Sequence, residues 1–131
     1  MNTLLSIVSI GVGATVGASS RYYIGIISTQ YLGKGLPYAT LISNVIGSFI
    51  AGVLIVLVLE KLLLSETYRL MLLVGLAGSL TTMSALSIES VEMLSGGHYS
   101  QAFINILLNL LLSLAAASLG VVASKYVFNL V

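Results

Sequence analysis

Uncharged polar residues recur at regular intervals in an otherwise apolar chain. Thr40, Asn44 and Ser48 are spaced four apart, and so are Asn105, Asn109 and Ser113. That spacing puts each set on one face of a helix. Amide and hydroxyl groups donate hydrogen bonds without carrying a full charge. At membrane depth such donors either bond a neighbouring helix or replace the hydration of a small anion without trapping it. Spacing alone leaves both open for Asn44, Asn105, Asn109 and Ser113.

A different chemistry resides in Gly75-Leu76-Ala77-Gly78-Ser79-Leu80-Thr81-Thr82-Met83-Ser84, inside an uncharged run over residues 70–88. Glycine is a poor helix former, and hydroxyl side chains compete for backbone carbonyls. A break at membrane depth survives only where the freed backbone faces protein, an ion or water. Helix halves that meet there aim their partial charges at the junction. The stretch reads as an ion-handling centre, and the same residues also suit a small-residue packing face. Beyond it, Glu89 is an acid that needs a partner or a vestibule at such depth. Ser84 and Ser87 lie on or near the face leading to it, whereas Glu92 sits where water reaches.

These groups must be positioned by membrane helices. The chain has 131 residues, 58% hydrophobic and 7% charged, with a mean hydropathy of +1.12. Soluble domains carry about 25% charged residues, so this is an integral membrane protein. Cysteine and aspartate are absent, which removes disulfides and thiolate chemistry. The single His98 sits in a Gly96-Gly97-His98-Tyr99 turn, at an interface rather than on a metal. One His and four Glu assemble no nucleophile–base or metal-ligand set, so an enzyme is not expected. A net charge of +1 without a polybasic cluster gives no case for nucleic acid or a lipid-headgroup site.

Four membrane spans are expected, at 4–27, 38–59, 69–94 and 101–124, the third broken at mid-membrane. Their connections are short, so residues 1–131 form one all-α unit in the lipid bilayer. The first run lacks a Lys/Arg-rich start and is long for a signal peptide, which predicts a retained helix. Gly13 and Gly17 share a face, as do Gly47 and Ala51, suiting close helix contact. Arg21 is expected near a span end as an interfacial anchor, ahead of a direct ion site. Pro37 should open the second helix. If the helices alternate, Lys61, Arg69 and Lys125 face Lys34 and Arg21 across the membrane. That bias is weak, which permits both orientations and an antiparallel dimer.

Three motifs carry a resemblance over nearly the whole chain. They are Gly13-Ala14-(x)6-Arg21-Tyr22, then Pro37-Tyr38-Ala39-Thr40-Leu41-(x)2-Asn44-(x)2-Gly47-Ser48-Phe49, then Gly75-(x)2-Gly78-(x)2-Thr81-Thr82-x-Ser84-(x)2-Ser87-x-Glu89. In order and spacing they resemble the CrcB/Fluc family of fluoride channels. The resemblance implies a dual-topology antiparallel dimer, with two fluoride paths at the subunit interface. It also implies a structural Na+ on the two-fold axis, held by the backbone carbonyls of Gly78 and Thr81 from each subunit and not transported. Asn44 matches the asparagine that donates to fluoride, and Thr82, Ser84 and Ser87 fall in a hydroxyl-rich third-helix motif. Glu89 matches the acid beyond that motif, and Arg21 a vestibule or structural arginine.

Two departures stand out. The family pattern continues Phe-Ser-Thr-Phe after Thr-Thr, where this chain reads Met83-Ser84-Ala85-Leu86. Neither Met83 nor Leu86 offers the electropositive ring edge of a phenylalanine. Asn105 and Asn109 stand where a Tyr and a Ser are usual. Either these amides take over the anion contact, or a paralogous subunit supplies the phenylalanines in a heterodimer; the homodimer is preferred. The expected function is passive, fluoride-selective export across the cell (inner) membrane. The alternative is a proton-coupled four-helix antiporter of small molecules, which needs a central acid in the first helix, and residues 4–27 contain none. A purely structural membrane subunit is the third reading.

Overall fold

The computed structural model describes residues 2–33, 35–59 and 64–128, and these are helical with short connections. Helix α1 spans Thr3–Leu32 and α2 spans Tyr38–Leu59. Residues 66–80 form α3: one α-turn at Glu66–Arg69, a π-helical segment at Leu70–Ala77, and a last turn at Gly78–Leu80. After a two-residue break, α4 runs Met83–Ser95 and α5 runs Tyr99–Val127. The segments Thr3–Leu32, Tyr38–Val58, Glu66–Ser95 and Tyr99–Val127 are each long and apolar enough to cross a membrane. The chain is therefore a multi-pass, all-helical membrane protein.

The outer ends differ from those read from the sequence. Helix α1 continues through the polar residues 28–31, because nothing stops it before Gly33, whose φ of +74° ends the helix. Arg21 thus lies about three turns inside α1 rather than near its end. Helix α5 likewise starts at Tyr99 and reaches Val127. Pro37 precedes α2 as expected, and its carbonyl accepts from the Leu41 N–H at 3.3 Å. Lys34 and Lys61, which enter the charge comparison, lie outside the described residues.

Glycines let backbones touch at two crossings. A Cβ on Gly13 would overlap the Met71 carbonyl, and one on Gly17 the Leu76 carbonyl. From the other side, a Cβ on Gly75 would collide with the Ile10 carbonyl. Helix α1 is thereby pressed on the π-helical segment of α3. Gly52 and Gly120 do the same for α2 and α5, facing the carbonyls of Ala117 and Phe49. Of the two readings of residues 75–84, the packing one holds for Gly75 and not for Gly78. Gly75 is a packing residue, while Gly78 is exposed with only the Leu73 carbonyl within reach of a Cβ, at 3.8 Å.

Burial is inverted relative to a soluble protein. Leu4, Val8, Val16, Phe103, Leu111 and Val122 point outward. Thr40, Ser43, Asn44, Thr82, Ser90, Asn105 and Asn109 are buried. An apolar exterior suits lipid or a partner subunit, so the interior must satisfy its own hydrogen bonds.

Candidate functional site

The centre of the site is the break at Thr81 and Thr82, which are extended with φ/ψ of −80°/155° and −154°/114°. Asn44 of α2 holds it open with both ends of its amide. Its Oδ1 accepts from the Thr82 N–H at 2.7 Å, and its Nδ2 donates to the Thr82 carbonyl at 3.3 Å. In an unbroken helix the Thr82 N–H would donate to the Gly78 carbonyl. Thr82 then caps α4, its Oγ1 accepting from the Ala85 N–H at 3.1 Å. That N–H would otherwise donate to the Thr81 carbonyl. Two side-chain hydrogen bonds thus divert the donors that helix continuation would give to Gly78 and Thr81. On the near side, the Thr81 N–H and Oγ1 both donate to the Ala77 carbonyl at 3.1 Å and close α3.

A ladder of amides runs from the break into α5. Asn44 Nδ2 donates to Asn109 Oδ1 at 2.8 Å. Asn109 Nδ2 donates to the carbonyl and to Oδ1 of Asn105, each at 3.0 Å. Asn105 Nδ2 reaches Ser90 Oγ at 3.4 Å, and Ser90 Oγ donates to the Leu86 carbonyl at 2.7 Å. The Thr82 N–H can only donate, so Asn44 must present Oδ1 to it and turn Nδ2 toward Asn109. Asn109 in turn must offer its oxygen to Asn44, because its Nδ2 faces two acceptors. Nearby, Thr40 Oγ1 donates to Glu89 Oε1 at 2.5 Å. Among the described residues, Glu89 Oε2, Ser113 Oγ and Ser43 Oγ are buried without a hydrogen-bond partner.

Two cavities flank this network. One is an open groove of about 620 Å³ along the break, with Asn44, Ser48, Thr82, Asn109 and Ser113 among its polar lining. Gly78, Thr81, Met83 and Leu86 also line it; Leu86 is mostly buried, while Met83 is 73% exposed. The other, about 680 Å³, holds Glu89, Glu92, His98 and Gln101. Glu89 therefore borders that cavity and has a partner in Thr40. His98 is exposed, its Nδ1 3.0 Å from the Gly96 carbonyl.

The predicted residues do not all meet. Asn105 lies on the ladder behind the groove wall. Ser84 and Ser87 are on the exposed face of α4 and do not line the groove; Ser84 Oγ is 3.1 Å from Thr82 Oγ1, and Ser87 Oγ donates to the Met83 carbonyl at 2.9 Å. Arg21 sits on α1 beside Tyr22, Gly25 and Thr29, apart from the groove. Ser90 was not among the expected residues, although it lies four after Leu86 and shares its inward face. Among the described residues no three His, Cys, Asp or Glu side chains converge on a metal position.

The chain also resembles known proteins over most of its length. Residues 8–121 match the family described as CrcB-like protein, Camphor Resistance (CrcB). A protein named fluoride-specific ion channel FluC from Sulfurihydrogenibium sp. (strain YO3AOP1) is 43% identical over 116 residues, covering 88% of this chain and 94% of that one. A protein of the same name from Roseiflexus sp. (strain RS-1) is 41% identical over 116 residues, with the same coverage of 88% and 94%. Another from Clostridium perfringens (strain 13 / Type A) is 35% identical over 128 residues, 98% of this chain and all of that one. All three are named as ion channels, a family without enzymatic activity. With the match covering most of its length, this chain belongs to the CrcB family.

Proposed function

We propose that the protein is a subunit of a fluoride-selective channel that lets fluoride leave the cytoplasm passively across the inner membrane. The observation that carries this reading is the Asn44-clamped break, which sets a neutral amide donor beside an open groove in the bilayer interior. The names of the relatives supply the anion. The groove is open along one side, so a second subunit completes the path. That subunit is another copy in antiparallel orientation, or a paralogue.

The same break suits a structural Na+ that is not transported. Hard cations take oxygen ligands, and the Gly78 and Thr81 carbonyls have lost the donors that would occupy them in a helix. Gly78 is exposed, which leaves room for a facing subunit beside it. The cation would supply charge neutralisation between opposed carbonyls. In the anion path, Asn44 donates, Thr82 positions Asn44, and Asn109 and Ser113 border the groove. Met83 and Leu86 give that path an apolar wall, and Glu89 stands at its vestibule.

Reconstitution of this polypeptide alone in liposomes tests the reading. Fluoride efflux, little chloride efflux, and loss of the dimer when Na+ is replaced by a large organic cation are expected. No fluoride flux from the chain alone, restored by a co-expressed paralogue, would replace the homodimer with a heterodimer. Absence of flux in both cases would remove the channel.

A further inference from the structure

Asn44 has two amide protons, and both are already spent within the chain. One goes to the Thr82 carbonyl, which belongs to the clamp, and the better one goes to Asn109 Oδ1 at 2.8 Å. An amide oxygen therefore occupies the position on the groove wall where an anion would accept from Asn44. Asn109 is held in this orientation by two donations to Asn105. We propose that Asn109 is a built-in occupant of the Asn44 donor site and gates the anion path by turning its side-chain amide over. This rests on the channel reading above.

Turning over replaces Oδ1 by Nδ2 and costs the two hydrogen bonds to Asn105. It leaves the NH₂ groups of Asn44 and Asn109 facing each other, an arrangement that repels unless an acceptor lies between them. A small anion is such an acceptor. Its presence stabilises one of two amide orientations, which is a population shift with a stated differential contact. Gating is then coupled to the permeating anion without helix movement. The buried ladder behind Asn109 sets the resting state.

The test uses the full chain. In liposomes, Asn105→Leu removes one acceptor that holds Asn109 and leaves Asn44 and Asn109 in place. It should raise fluoride efflux at sub-saturating fluoride about threefold, the factor carried by one hydrogen bond at membrane depth. Unchanged or reduced efflux in correctly assembled Asn105→Leu overturns the gate. Independently, the wild-type chain labelled with ¹⁵N-asparagine is titrated with sodium fluoride in detergent micelles. The side-chain amide resonances of Asn44 and Asn109 should move together, while sodium chloride moves neither. Movement of Asn44 without Asn109 overturns the proposal and leaves the channel intact. Absence of wild-type efflux together with no movement of Asn44 fails the channel itself.

Discussion

A double-mutant cycle on Asn44 and Asn109 probes the polar ladder most directly. Asn44→Ala removes three hydrogen bonds, two to Thr82 and one to Asn109. Side-chain hydrogen bonds inside membrane proteins average about 0.6 kcal/mol, with a maximum near 1.7. Three such bonds make the expected loss about 2 kcal/mol. Asn109→Ala removes the shared bond together with those to Asn105. Only the 2.8 Å bond is common to both changes, so the coupling should equal one bond, about 0.6 kcal/mol and at most about 1.7. Unfolding the purified protein in mixed micelles with increasing SDS gives the four free energies. Additive single changes, with coupling near zero, would mean that the two amides do not touch, and the ladder would be refuted. The single change carries a second signature, because the Thr82 N–H regains access to the Gly78 carbonyl. If Gly78 holds sodium, Asn44→Ala should also weaken the Na+ dependence of dimer stability.

Other perturbations separate packing from capping. Gly17→Ala forces a Cβ into the Leu76 carbonyl and should cost about 1–3 kcal/mol in the same assay, whereas Gly11→Ala meets nothing within 4 Å and should be neutral or mildly stabilising. Equal effects of the two would show that the α1–α3 contact is not glycine-mediated. Thr82→Val removes the cap on the Ala85 N–H, at about 1 kcal/mol, and lets that N–H return to the Thr81 carbonyl. A Thr82→Val protein as stable as wild type would contradict the cap. Thr40→Val takes the hydroxyl from Glu89 and leaves a partly buried carboxyl with one fewer donor, about 1–3 kcal/mol less stable by SDS unfolding.

Much of this architecture is written in local composition. Long apolar runs with few charges define membrane helices whatever surrounds them, because lipid leaves the backbone no other way to satisfy its hydrogen bonds. Clustered Gly, Ser and Thr at 75–84 marked the helix that yields, and the four-residue spacing within Thr40, Asn44 and Ser48 and within Asn105, Asn109 and Ser113 marked the faces turned inward. Composition could not say which glycine packs and which lies open, since that depends on where α1 crosses. The π-helical widening at Leu70–Ala77 carries no sequence signal that we can identify. Nor could spacing tell that the amides of α5 are spent on one another and on Asn44. Hydrogen-bond partners 38 and 65 residues apart are chosen by how helices pack, not by neighbours along the chain. Residue types decided that hydrogen-bond donors would be buried among the membrane helices. Three-dimensional packing decided which of those donors are already occupied, because a buried amide takes whatever acceptor the fold brings within reach.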